Sequence, residues 1–487
     1  MVKLIKELEH NSVERTSDLQ FLISALTLEN DFNDTTEVLT WLEKRNQEVR
    51  VSLTRICFDE MRNWFIDNSK NKLQHLSGGF FSIEGVSVKT NWGELATWDQ
   101  PIINQPEIGF LGILVKEFNG VLHFLMQAKI EPGNVNIVQL SPTLQATKSN
   151  YTRVHGGNAP RYLEYFLNNT RTEVLLDQLQ SEQGGRFLKK RNRNIIVKVN
   201  DDIALYEDFK WLTLGQIKEL MSIDNVVNMD TRTVISGISF STGFKNNSTA
   251  SNQRLLNSRI SDLGARFLAS DLENNSHLHT FDQVIHWFTG LKVRYELEIT
   301  RIPLVSVDKW IIEPYCIRHV NDRFFRVIAM RVEISNREVL SWDQPLIEPV
   351  QQGICAFIVK EIGGLLHFMV QGKVEPGNFD VLEMAPTLQC VTGPYSDEFS
   401  RQNLPFLDFV LNVKPNQIIV DTLQSEEGGR FHHEQNRNMI LLVGDDFPLE
   451  VPNNYIWMTL YQLKTFLKFN NYLNIQARNL IASIPYR

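Results

Sequence analysis

Cysteine is scarce: there are four in 487 residues, Cys57, Cys316, Cys355 and Cys390. No two stand as C-x-x-C, so the spacing gives no support to a zinc site and favours buried thiols in a reduced, intracellular protein. Long basic runs are missing too. The chain carries 49 Lys and Arg against 57 Asp and Glu, a net charge of −8. That disfavours a nucleic-acid surface but leaves room for a local basic pocket around a phosphorylated ligand. Nowhere do eighteen apolar residues run together, so no membrane span is expected. The N-terminal MVKLIKELEHNSVERTSDLQ scatters charges where a signal peptide would be apolar, and the expected location is the cytoplasm. Also absent are G-x-S-x-G, H-E-x-x-H, an EF-hand loop, a Walker A loop and G-x-G-x-x-G after a strand. No compact cluster of His, Cys and Asp has ligand spacing. No metal and no cofactor is implied by motif.

What is present is a repeat. WDQP occurs at 98–101 and again at 342–345, a shift of 244. The same shift carries His123 to His367, Gln127 to Gln371, Lys129 to Lys373 and Glu131 to Glu375. It maps QSEQGGRF at 180–187 onto QSEEGGRF at 424–431. Toward both ends the shift becomes 246, pairing Trp41 with Trp287, Trp64 with Trp310, Trp211 with Trp457 and Arg232 with Arg478. Matches of this kind in this order indicate a duplicated domain. The expected organisation is an N-terminal extension (1–36), a first repeat (37–237), a linker with a helix (238–282) and a second repeat (283–487).

Within the first copy, Val38, Trp41, Leu42 and Arg45 suggest a helix. FSIEGVSV at 81–88 suggests a strand, and 108–130 two strands split by the turn signal Asn119-Gly120. Ile195 to Val199 reads as another strand. LTLGQIKELM at 212–221 reads as a helix with Thr213 as N-cap. In the linker, Leu255, Ile260, Leu263 and Phe267 recur at near-helical spacing. The fold class is α+β.

The strand HFLMQAKIEPG is the most informative for chemistry. Alternation puts His123, Leu125, Gln127 and Lys129 on one face, opposite an apolar face of Phe124, Met126, Ala128 and Ile130, with Glu131 at the strand end. A histidine, an amide and an ammonium in one row suit a ligand, and a solvated polar face gives the same pattern. The loop 141–157 holds Ser149, Asn150, Tyr151, Arg153 and His155, then Gly156-Gly157, and is rich in donors for a phosphorylated or hydroxylated ligand. In the second copy Arg153 becomes Asp397 and His155 becomes Phe399, so the copies are not expected to do identical jobs. The paired glycines of QSEQGGRF, with Ser181, Glu182 and Arg186, imply a tight bend or close backbone approach. Trp64, Trp310, Trp98 and Trp342 suit either the core or stacking on a base, the last two opening a WDQP turn.

Together, WDQPII, HFLMQAKIEPGN, QLSPTLQATKSNYTRVHGG, NMDTRTVISG and the repeated QSE-GGRF segment resemble the NDP-hexose 2,3-dehydratases of deoxysugar biosynthesis, over nearly the whole chain. The resemblance implies a tandem duplication of a divergent Nudix-like domain, without the Nudix catalytic helix, and a homodimer. It implies dehydration of dTDP-4-keto-6-deoxy-D-glucose across C2 and C3, with no nicotinamide and a downstream ketoreductase acting on the product. It places ligand contacts on Trp64, on Thr147, Lys148, Ser149, Asn150 and Tyr151, on Ser181, and on Trp310, Thr392, Gly393, Pro394 and Tyr395. The chemistry needs a base at C3, a cation or donor at O4 and an acid at the C2 hydroxyl. His123 or Glu131 is the candidate base, Lys129 the O4 partner and Tyr151 the acid, with Arg153 or Ser149 on the diphosphate. Which copy holds the productive site stays open. A hydrolase of nucleoside diphosphate linkages would need clustered carboxylates for magnesium, which the motifs do not supply. The other alternative is a non-catalytic nucleotide-sugar binding protein on the same scaffold.

Overall fold

The computed structural model describes residues 16–67, 71–148, 159–167, 172–240, 259–272, 277–335, 340–391 and 404–487. The apolar run Gly109–Phe118 is turned back by Asn119 and Gly120 at φ 48° and 78°, a left-handed pair that matches strand twist in a two-residue hairpin. It therefore pairs antiparallel with Val121–Ile130, Phe118 opposite Val121. On its other side it takes Arg191–Val199 in parallel, and that strand pairs with Thr172–Ser181. Phe209–Thr213, Val138–Ser141 and Leu144–Ala146 complete seven strands. The second copy builds the same seven-stranded sheet around Gly353–Ile362 and Leu365–Lys373. The molecule is α+β, in two similar halves.

The halves are not separable. Val51–Ile56 of the first copy pairs antiparallel with Phe325–Ile334 of the second, and Leu297–Ile302 of the second pairs with Ser82–Thr90 of the first. Each five-stranded sheet thus has one strand from the other half. One apolar core runs through both copies, from Phe124 and Met126 to Phe357, Phe368, Leu463 and Leu480. Helices Met229–Ser236 and Ile475–Ala482 pack together. The fully buried guanidinium of Arg232 reaches the Ser425 carbonyl and that of Arg478 the Ser181 carbonyl, each across the copies.

Helices form where expected. Thr35–Gln47 buries Val38, Trp41 and Leu42 behind an Asp34 capping box. Leu214–Leu220 is capped by Thr213, with Gln216 returning to its N–H, satisfying donors the helix itself cannot. Equivalence extends beyond the repeat bounds read from the sequence. Ser24, in helix Ser17–Ala25, donates to Leu122 O (2.6 Å) and accepts from Leu214 N (2.9 Å). Ser270, in helix Asp262–Asp271, does the same with Leu366 O (2.5 Å) and Leu460 N (2.9 Å). WDQP is not a turn but strand, in Thr97–Asn104 and Ser341–Pro349. Each is an edge strand, which tolerates the missing proline N–H. Among the described residues no helix is long and apolar enough to cross a membrane.

Candidate active site

A cavity of about 840 Å³ opens at the C-terminal end of Val121–Ile130. Gln127, Lys129 and Glu131 line it, with Thr147, Trp64, Glu182, Lys190, Asn192 and Asp230. Trp342, Asp343, Glu427 and Arg430 reach it from the second copy, so the site is built from both halves.

Pairing places the charges. Lys129 Nζ lies 3.2 Å from Glu131 Oε1, which also accepts from the Gln145 amide at 2.8 Å. Gln145 is held by Asn228 at 3.3 Å, the N-cap of Met229–Ser236. Glu131 Oε2 is buried with no hydrogen-bond partner among the described residues, and Glu131 lines the cavity. Behind it the site crowds like charges. Burial, then repulsion from Glu427, pushes Glu182 up to about 7. The same two causes raise Asp230 well above the usual carboxylate range. Burial draws Lys190 down to about 8. Arg430 lies 4.1 Å over the Phe81 ring, and its Nε is 3.3 Å from Gln105 Oε1. Asp343 is held near 2 against the cost of burial, because Arg331 and Arg62 both donate to it. Among the described residues no three of His, Cys, Asp and Glu stand where they could hold a metal ion.

The structure brings together Trp64, Lys129, Glu131 and Thr147. Trp64 is buried, tilted against Phe81 at 5.0 Å and edge-on to His75 at 5.5 Å. Lys148 is exposed and does not line the cavity. His123 must be corrected. It is 2% exposed, its Nδ1 is 2.9 Å from Val121 O, and its ring lies edge-on between Phe32 and Phe118, at 5.4 Å from each. Burial lowers its basicity. The reason is that both faces of this sheet are covered: Leu125, on the face of His123, packs in a cluster with Phe166 and Trp211. Its twin His367 is structural as well, accepting from Leu278 N at 3.0 Å. Ser181 is also displaced from the expected role: it is buried between the copies and its hydroxyl donates to Glu383 at 2.7 Å. Trp310 sits in the second copy's small sheet, donating to Asp99 O at 3.1 Å. Ser149, Asn150, Tyr151, Arg153, His155, Thr392, Gly393, Pro394 and Tyr395 lie outside the described residues.

The sequence reading gave no chemical role to Glu182, Lys190, Asp230, Glu427 or Arg430. A signal existed in the differences between copies. Where the first has Lys190 and Asp230 the second has Glu434 and Gln476, and Gln183 answers to Glu427.

Comparison with known proteins agrees with this geometry. The NDP-hexose 2,3-dehydratase family model matches twice, over residues 35–238 and 281–484. The chain is 46% identical over 465 residues to the dTDP-4-dehydro-6-deoxy-alpha-D-glucopyranose 2,3-dehydratase of Saccharopolyspora spinosa, covering 96% of this chain and 94% of that protein. It is 42% identical to the enzyme of that name from Streptomyces violaceoruber, over 93% and 97%. With the one from Amycolatopsis orientalis identity is 40%, over 95% and 92%. A doubled α+β chain with a charged cavity between its halves, matched twice by one family and end to end by three of its enzymes, belongs to the NDP-hexose 2,3-dehydratase family and is a carbon–oxygen lyase.

Proposed function

We propose that the chain dehydrates dTDP-4-keto-6-deoxy-D-glucose across C2 and C3 to the 3,4-diketo-2,6-dideoxy sugar nucleotide, in the cavity of the first copy. The observation that carries this is the Lys129–Glu131 pair, 3.2 Å apart, set in a cavity of about 840 Å³, a size suited to a small-molecule ligand. The C4 ketone acidifies the C3 proton. Glu131, with Oε2 unengaged, takes that proton, and Lys129 stabilises the enolate charge on O4. The C2–O bond then breaks, hydroxide leaves with a proton as water, and the C3 enol tautomerises to the diketone. No net electron transfer occurs.

Trp64 and Thr147 line the cavity and suit the nucleotide end. The family resemblance gives substrate contacts to Ser149, Asn150 and Tyr151, and this reading assigns Arg153 or Ser149 to the diphosphate. Lys190 and Asp230 favour the first copy as the productive one, because Glu434 and Gln476 replace them in the second. The mixed seven-stranded sheet of each half suits a divergent Nudix-like domain. The working protein is a cytoplasmic homodimer, and a ketoreductase consumes its product.

The test is to incubate the protein with this substrate, trap the product with a ketoreductase and measure its mass. Loss of one water is expected, with solvent deuterium entering at C2. Binding with no mass change, even with the reductase present, would leave a non-catalytic binding protein.

A further inference from the structure

Two carboxyl groups, Glu182 of the first copy and Glu427 of the second, line the cavity together. Glu182, 5% exposed, accepts from the Asn192 amide through Oε1 at 2.6 Å, while its Oε2 is buried without a hydrogen-bond partner among the described residues. The equivalent oxygen of the second copy, Glu426 Oε2, is satisfied, because Gln183 Nε2 donates to it. The shift that pairs Glu182 with Glu426 pairs Gln183 with Glu427. Glu426 of the second copy thus meets an amide from the first, and Glu182 of the first meets a carboxyl from the second. Glu427 lines the cavity, and after burial its repulsion is what most raises Glu182. Glu131 also faces it: a methyl built on Gly429 would stand 2.6 Å from Glu427 Oε1 and 3.7 Å from Glu131 Oε1. Lys190 bears on both carboxyls, and Lys129 and Arg430 bear on Glu427. The repeat sets Glu427 toward Glu182 as Gln183 is set toward Glu426; two carboxylates so placed cannot both ionise at ordinary cost, and one shared proton removes the repulsion. That proton also supplies the hydrogen bond that the amide supplies in the twin.

We infer that Glu182 and Glu427 hold one proton between them across the two copies, and that this pair is the general acid that protonates the C2 hydroxyl as it leaves. The inference rests on the dehydratase reading and names its acid. As the enolate electrons form the C2=C3 bond, the C2–O pair departs on oxygen. That oxygen takes the shared proton and leaves as water. The pair becomes doubly charged. The proton Glu131 removed from C3 restores it, so the enzyme ends each turnover with the protons it began with. At the equivalent place beside Glu426 stands the amide of Gln183, lent by the first copy, which cannot perform this step.

Glu427→Gln installs the pairing that Gln183 and Glu426 already make, so the fold has a precedent for it. The expected result is substrate binding close to wild type and a kcat lower by about 10²–10⁴-fold. Exchange of the C3 hydrogen with D2O should persist, since Lys129 and Glu131 are untouched. Wild-type kcat should fall as rising pH takes the proton from Glu182, which is pushed up to about 7, and Glu427→Asp should recover part of the rate. Unchanged turnover in Glu427→Gln overturns the inference. So does loss of C3 exchange along with water loss, which would put Glu427 at C3. If Tyr151→Phe rather than Glu427→Gln stops water loss while exchange continues, the acid is Tyr151. Failure of the dehydratase reading itself looks different: the wild-type protein would neither exchange C3 nor lose water.

Discussion

His123 and Lys129 stand six residues apart on one strand, and the covering of the sheet gives them opposite parts. His123→Ala would empty a cage of Phe32 and Phe118 and should cost about 2–4 kcal/mol of stability, read as a lower Tm, with kcat retained. Lys129→Ala should lower kcat/KM by about 10²–10³-fold, and Lys373→Ala should leave turnover near wild type. Turnover lost in Lys373→Ala alone would move the active site to the second copy. Alternation led to Lys129 and Glu131 because they lie where the strand runs out into the cavity. It misled at His123 because it assumes one covered face. The second cover, with Phe166 and Trp211, comes from more than forty residues along the chain, and nothing local announces it. Glu427 lay beyond a reading of either copy alone. Only the change from Gln183 to Glu427 between them marked it.

Among elements, the clearest contacts are reciprocal. Gly133, in the turn after Val121–Ile130, donates to Gly428 O at 2.7 Å, and Gly377 donates to Gly184 O at 2.7 Å. Gly133 and Gly377 are there for close backbone approach. A Cβ on Gly133 would meet the Phe431 carbonyl, and one on Gly377 the Phe187 carbonyl. Either Gly→Ala change should destabilise by about 3 kcal/mol or more, since backbone cannot step aside as a side chain can. Thermal melting checks this. Glu383 offers a second test at this interface. Burial pushes it up to about 7 from 4.5, so the folded protein keeps a proton that the unfolded chain releases. The stability it contributes is whole below about pH 4.5 and is lost as pH rises through 7. Glu383→Gln copies its twin Gln139, which accepts from Ser425 Oγ at 3.0 Å. It should melt like wild type near pH 4.5 and be more stable at pH 8, by an amount on the order of 3 kcal/mol. A difference between the two proteins that does not change with pH would contradict this.

At the scale of the molecule, the duplication was plain in the spacing of tryptophans and glycines, while the exchange of Val51–Ile56 and Leu297–Ile302 was not. Strand patterns say which face is apolar but not which sheet receives the strand, and partner choice over more than 200 residues leaves no periodic trace. Either half expressed alone lacks a strand of its small sheet and a share of the common core. Each should therefore be insoluble or unfolded by circular dichroism, whereas co-expression should restore a native spectrum and activity. Independent folding of the two halves would contradict the shared core.

The exchanged strands also carry a corollary about descent. A half-length ancestor with this architecture needed two chains, each lending the other a strand, and its identical subunits would have enclosed two equal cavities. Joining them end to end freed each subunit to vary separately. One loop could then trade its acid for an amide, Gln183, and so disarm the neighbouring cavity, while the other loop went on furnishing an acid, Glu427, in return. A copy can thus give up its own chemistry and still be indispensable to the other's.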